Sequence, residues 1–172
     1  MKIDRRGLLT GLGAGAVAAP ALARPHQGGT VAFLHGVASG DPHADSVVLW
    51  TRVTPGADVS NAVSVRWHLR TGDEVVATGT TDASPERDFT VKAIAGGLRP
   101  GVDYHYDFQV GDVTSPVGRV RTLPVGATRD VVLAVASCQL YPGGLFNAYD
   151  AMSKLDRLDA VVHLGDYIYE YG

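Results

Sequence analysis

The sequence predicts a mainly β N-terminal sandwich followed by the truncated start of an α/β (β-α-β) domain. Three observations carry that prediction. From residue 28 to 124, short apolar-polar alternating runs are separated by Gly, Pro and Asp turns. After residue 125 the pattern changes to a continuously apolar run, residues 131–137, and a second strand read as buried, residues 159–166. Between them, residues 145–158 space their apolar side chains as a helix does. The bulk numbers agree with a folded chain: of 172 residues, 45% are hydrophobic and 19% charged, and 21 Gly with 9 Pro favour short strands and many turns. A net charge of −3, with no large basic patch, sets nucleic-acid binding aside.

The first 23 residues read as an address rather than a domain. Arg5 and Arg6 give a charged start, Leu8 to Ala19 a short, glycine-rich apolar stretch, and Ala21-Leu22-Ala23 a small-x-small cleavage site. The stretch is too short for a stable membrane span, so none is expected in the mature protein. Arg5-Arg6 before Gly7-Leu8-Leu9 resembles the twin-arginine export motif, with Asp4 and Leu8 departing from its commonest form. The alternative is an ordinary secretory signal whose positive start happens to be Arg-Arg. Export through the twin-arginine machinery would place the protein in the periplasm or outside the cell. Removal of residues 1–23 takes away Lys2, Arg5, Arg6 and Asp4 and leaves a net charge of −5.

In the β region, strands are expected around 31–37 and 46–53, with a Gly-Asp-Pro turn at 40–42. Val63, Val65, Trp67 and Leu69 face one way and Ser64, Arg66, His68 and Arg70 the other, so this strand is half-buried. A turn at Thr71-Gly72-Asp73 returns the chain through Glu74–Thr78. Two more strands flank an Arg-Pro-Gly corner, and residues 117–124 close the unit. About seven strands in this span imply a sandwich. Leu98-Arg99-Pro100-Gly101 followed by Tyr104 resembles the tyrosine corner of fibronectin type III modules. The unit is either a structural companion of the α/β tail or a module binding a carbohydrate or protein; the lack of an aromatic row favours the first. His35, His43, His68 and His105 are scattered without ligand spacing.

The tail holds the candidate chemistry. In a β-α-β unit the two strands run parallel and end on one edge, where ligands of open α/β folds bind. Cys138, the single cysteine, follows the first strand, and Asp166 the second. Tyr169 lies three residues beyond Asp166, close enough to fold back on the same point. A thiolate, a carboxylate and a phenolate are anionic donors suited to a Lewis-acidic ion such as ferric iron. The second carboxylate oxygen could bridge to another metal, and two metals about 3.5–4 Å apart form the usual clamp for attack at phosphorus. Taken singly, a lone Cys is ordinarily a packed small hydrophobe, and Asp after a strand a cap or turn residue. It is the three together at neighbouring strand ends that point to a metal. His163, three before Asp166 within the strand, points to the opposite side. It reads as a core histidine or as one that supports the ligands from behind.

These residues, with Phe33–Pro42, Val47–Val53, Gly97–Tyr106 and Pro116–Pro124, give the chain a resemblance to the N-terminal part of alkaline phosphatase D (PhoD-like) proteins. Ala136–Gln139 (ASCQ) and His163–Gly172 (HLGDYIYEYG) are its most specific stretches. The resemblance implies a fibronectin-like domain joined to a metallophosphoesterase domain that hydrolyses phosphate mono- and diesters outside the cytoplasm by metal-activated water. It implies Fe3+ and Ca2+ as cofactors, with Cys138, Asp166 and Tyr169 on iron-ligand positions and the Asp also bridging to calcium. Purple acid phosphatases share the Gly-Asp-x-x-Tyr arrangement but carry Asp-x-His where this chain has Ser137-Cys138-Gln139, and rank second. A secreted β-sandwich binding module with a vestigial tail is the reading from another class.

The expected organisation is a signal peptide at 1–23, the β-sandwich at 28–124, and the start of the metallophosphoesterase domain at 125–172. Such a domain needs many more strands than two, so the sequence reads as truncated at Gly172, with its last 48 residues poorly folded in isolation. Incubated with ferric iron, calcium and a phosphate ester, the 172-residue chain is expected to show no turnover; robust hydrolysis would overturn that expectation.

Overall fold

Strict alternation builds the first unit. The computed structural model describes residues 30–128, 130–140 and 143–170; the leader, with Arg5 and Arg6, lies outside the described residues. The chain passes through β1 (Val31–Ala32), β2 (Val37–Gly40), β3 (Ser46–Arg52), β4 (Thr54–Pro55), β5 (Val63–Thr71), β6 (Glu74–Ala83), β7 (Thr90–Gly96), β8 (Asp103–Val110), β9 (Val113–Thr114) and β10 (Gly118–Arg121). Antiparallel pairing orders one sheet β2-β3-β7 and the other β10-β8-β5-β6, with β9 on β8; β1 and β4 form a short separate ribbon. Every second residue of β3, β5 and β7 is buried, including Val47 and Leu49, Val63 to Leu69, and Val91 to Ala95. With Tyr104, Tyr106, Phe108 and Val120 they form one apolar core. This is the predicted sandwich, since a sheet with one apolar face must bury it against another.

The predicted tyrosine corner is present. The Tyr104 hydroxyl accepts the Arg99 N–H at 2.9 Å, and the Thr122 hydroxyl donates to the Arg99 carbonyl at 2.7 Å. Together they tie the Pro100-Gly101 bend back to β8 and to the chain following β10. At the edges of the larger sheet, two glycines make room for rings. Gly79 on β6 lies opposite Trp67, and Gly118 on β10 opposite Tyr106. A Cβ on Gly79 would stand 2.6 Å from the indole, and one on Gly118 would overlap the phenol ring.

The outer face of that sheet buries one carboxylate. Asp107 is 5% exposed; it receives Arg70 on one oxygen and His68 Nδ1 at 3.0 Å on the other. Burial, then the Arg70 and Arg66 guanidiniums, hold the His68 imidazole below its usual pKa. Arg70 already supplies Asp107 with a cation, so the neutral imidazole donates Nδ1–H to it.

Two sequence expectations for this unit differ in detail. The strand expected at 31–37 breaks into β1 and β2 because Gly36 takes a positive φ of 66°. The return after Gly72 runs on to Ala83 rather than ending at Thr78. The second unit is β11 (Leu133–Ala136), α1 (Asn147–Ser153) and β12 (Ala160–His163), all shorter than expected. Its strands, expected to be buried on both faces, are open: Leu133 is 52% exposed and Val161 51%. Among the described residues no second layer covers them, and α1 buries no side chain. No helix of the described residues is long and apolar enough to cross a membrane.

Polar ties brace each unit near the junction. The Leu123 N–H donates to the His43 carbonyl. Arg157 spans the Asp130 carboxylate (2.7 Å) and Asp159 (2.9 Å). Asp159 accepts the Val132 N–H at 2.8 Å; that bond first, then Arg157, holds its carboxyl below the usual range.

The close glycine–ring contact should be felt in stability. Gly118→Ala forces a Cβ into the Tyr106 ring and should destabilise the fold by roughly 1–3 kcal/mol in urea unfolding. Acid should act through His68. Because His68 resists protonation when folded, its contribution to stability is complete above the unfolded value of about 6.5 and is lost as pH falls from there toward the lowered folded value. The urea midpoint should therefore drop between pH 7.5 and 5, and drop less in His68→Gln; equal drops would refute this role.

Candidate metal centre

Parallel pairing aligns the two candidate strand ends. Leu133 pairs with Ala160 and Ala136 with His163, so β11 and β12 leave the sheet at one edge, as the β-α-β reading predicts. Backbone bonds continue past the strands: Leu164 N–H to the Ala136 carbonyl (2.8 Å), Cys138 N–H to Gly165 (3.1 Å) and Gln139 N–H to Asp166 (2.8 Å). These bonds hold the two departing loops side by side.

At this level both chains turn sharply. Cys138 has φ 60° and Asp166 φ 54°, left-handed conformations uncommon for residues with a Cβ. Gly165 between strand and Asp166 has φ 117°, which side-chain-bearing residues rarely adopt. The cost of such backbone, about 1–3 kcal/mol per residue, persists only where surroundings enforce it, and such strain clusters at functional sites. The result is that Cys138 Sγ lies 3.5 Å from Asp166 Oδ2, across 28 residues of sequence. The thiol donates to the carboxylate. Loss of that proton would leave two anions in contact, an arrangement that a cation between them would stabilise.

Cys138 is exposed, not packed as a small hydrophobe. A cavity of about 170 Å³ opens beside it, lined by Ser137, Gln139, Phe146, Asn147 and Tyr149 among others. Tyr169 is partly buried on the loop that carries Asp166. His163 accepts the Gly165 N–H on Nδ1 at 3.3 Å, which leaves its proton on Nε2. That Nε2 is buried without a hydrogen-bond partner, as is Gln139 Oε1. The His163 ring meets Tyr167 edge-on at 5.2 Å and tilts toward Tyr149 at 6.4 Å. Among the described residues no group of three His, Cys, Asp or Glu side chains gathers as a metal site would; Cys138 and Asp166 stand as a pair.

Two features of the site escape sequence reasoning. Gln139 is legible as part of the ASCQ stretch, but the clip that its backbone N–H forms between the two loops is not. Arg119 and Arg157, which brace the unit, carry no signal beyond ordinary surface charge.

Residues 17–124 match the family model of the PhoD-like phosphatase N-terminal domain, and residues 133–172 that of PhoD-like phosphatase. Alkaline phosphatase D of Bacillus subtilis (strain 168) is 45% identical over 150 residues, which is 81% of this chain and 26% of that protein. The solved structure of PhoD superposes with a TM-score of 0.74 at 42% identity, over 90% of this chain and 30% of that one. The chain thus spans about a quarter of the length of the curated relative it matches. Sandwich, tyrosine corner and strand-edge pair sit where these matches fall, and the chain belongs to the PhoD-like phosphatase family.

Proposed function

We propose that this chain contributes part of the metal centre of an exported phosphoesterase, with Cys138, Asp166 and Tyr169 as ligands. The observation that carries the reading is the 3.5 Å contact of Cys138 Sγ with Asp166 Oδ2 at a parallel strand edge, in a chain of phosphatase family. The donor chemistry fits: a polarizable sulfur, a hard carboxylate and a phenol on one loop suit ferric iron, and the free carboxylate oxygen suits calcium. When bound, such ions supply Lewis-acid polarisation of the phosphoryl group and activation of water.

The chain's own part is to present and orient. The left-handed turns at Cys138 and Asp166 aim both side chains at one point. His163 steadies the Gly165 turn from behind and is not itself a ligand. The exposed edge leaves a phosphate ester room to approach. Export by the twin-arginine route, to the periplasm or beyond, rests on Arg5-Arg6 and the Ala21-Leu22-Ala23 site; that route carries folded cargo, consistent with a metal loaded before export.

The test uses the full-length protein. It should hydrolyse p-nitrophenyl phosphate or its diester, lose activity to chelators, and regain it with ferric iron and calcium. Cys138→Ser and Asp166→Asn should each lower kcat/KM by at least about 100-fold, with the far-ultraviolet dichroism unchanged. Tyr169→Phe should abolish a visible phenolate-to-iron absorption band. A colourless, iron-free wild type that turns over ester regardless of chelator would sink the proposal.

A further inference from the structure

Arg119 joins the two units at the point where the second strand is set. It lies on β10 with its side chain on the outer face, since its neighbour Val120 faces the core. Its guanidinium leaves the sandwich and donates Nη1–H to the Asp156 carbonyl at 3.1 Å and Nη2–H to the Leu155 carbonyl at 3.2 Å. These carbonyls directly follow Lys154, the C-cap of α1. A helix end gathers negative partial charge and unpaired carbonyls, and a cation there is stabilising. The last turn of α1 holds no basic residue of its own, and Lys154 is drawn back to Asp150 at 2.5 Å. Arg119, from the other unit, binds the turn just beyond that end.

The seam around it is otherwise loosely filled. Cavities of about 470 and 300 Å³ flank it, sharing Pro42, Arg121, Asp159 and Ala160 in their walls. With so little apolar packing across the seam, relative motion of the units is the default, and directed polar ties decide their placement. Four residues after Asp156, β12 begins. Its pairing with β11 is pinned at the start by Asp159 on Val132, and a one-residue slip would turn its side chains to the opposite face.

We propose that Arg119 is a positioning residue: it docks the sandwich onto the α1–β12 turn and, through β12, keeps Asp166 facing Cys138. This rests on the metal reading of that pair for its last step only. The sandwich is thereby a working part of the site rather than a companion to it.

The test takes the full-length protein with Arg119→Ala, Arg119→Lys and, as a control on the same sheet face, Arg66→Ala. Amide exchange over β3, β5 and β7, whose inward side chains are buried in the sandwich core, reports that unit and should be unchanged in all three. In metal-free protein, Arg119→Ala should raise amide hydrogen exchange over residues 155–166 by about tenfold, with Arg119→Lys in between and Arg66→Ala at the wild-type level. In protein titrated with ferric citrate, Arg119→Ala should weaken iron binding about tenfold while kcat at saturating metal stays within twofold. Wild-type exchange in Arg119→Ala refutes the docking role whatever iron does. Raised exchange with unchanged iron affinity refutes the reach to the pair. If the wild type binds no iron, the metal reading fails, and the exchange result alone judges the strut.

Discussion

Parallel pairing of two four-residue strands is the constraint on which the candidate site depends. Cys138 and Asp166 are remote in sequence and neither is held by apolar burial. Only the in-register alignment of β11 with β12, extended by three backbone bonds beyond the strands, brings sulfur and carboxylate into contact. Each such bond contributes a net of about 0.5–1.5 kcal/mol, comparable to the backbone strain at one of the two left-handed turns. Features that hold β11 and β12 in register therefore bear directly on the pair.

The two units rest on different physics. In the sandwich, side chains such as Leu49, Leu69 and Phe108 are fully buried, and each contributes about 1.5–3 kcal/mol by leaving water. Burial there outweighs any single hydrogen bond, so polar features such as the Asp107 cluster refine a fold that the core already secures. In the second unit the apolar strand residues remain exposed, and order comes from Arg157 between Asp130 and Asp159, from Asp159 on Val132, and from Arg119 on the α1–β12 turn.

Legibility in the sequence divides along the same line. Period-two alternation states which face of β5 or β3 is buried, because in a two-layer sandwich burial is all that the pattern needs to encode. The tyrosine corner is readable because Pro100, Gly101 and Tyr104 are local to one another. The parallel edge is readable too, since a β-α-β run admits little else. Strand ends are less so: Gly36 breaks an apolar run by its backbone conformation, which hydrophobicity does not register. An apolar run likewise reports the tendency to be buried, not the partner that buries it, so Leu133 and Val161 read as interior while standing open. Arg119 is invisible for a further reason. Its partners are backbone carbonyls, which every residue carries and no sequence motif marks.

The same carbonyl contacts decide how the sandwich relates to the site. A companion unit held by apolar packing would show a buried seam between the two halves. The seam here has cavities on its flanks and charged groups at its centre. Such a junction is weak in total but specific in geometry, because a guanidinium satisfied by two adjacent carbonyls tolerates little rotation. The sandwich, secured by its core, gives the α1–β12 turn a fixed reference through Arg119. Among the described residues the apolar core lies in the sandwich and the candidate pair in the α/β unit, with the polar seam as the path by which the first can serve the second.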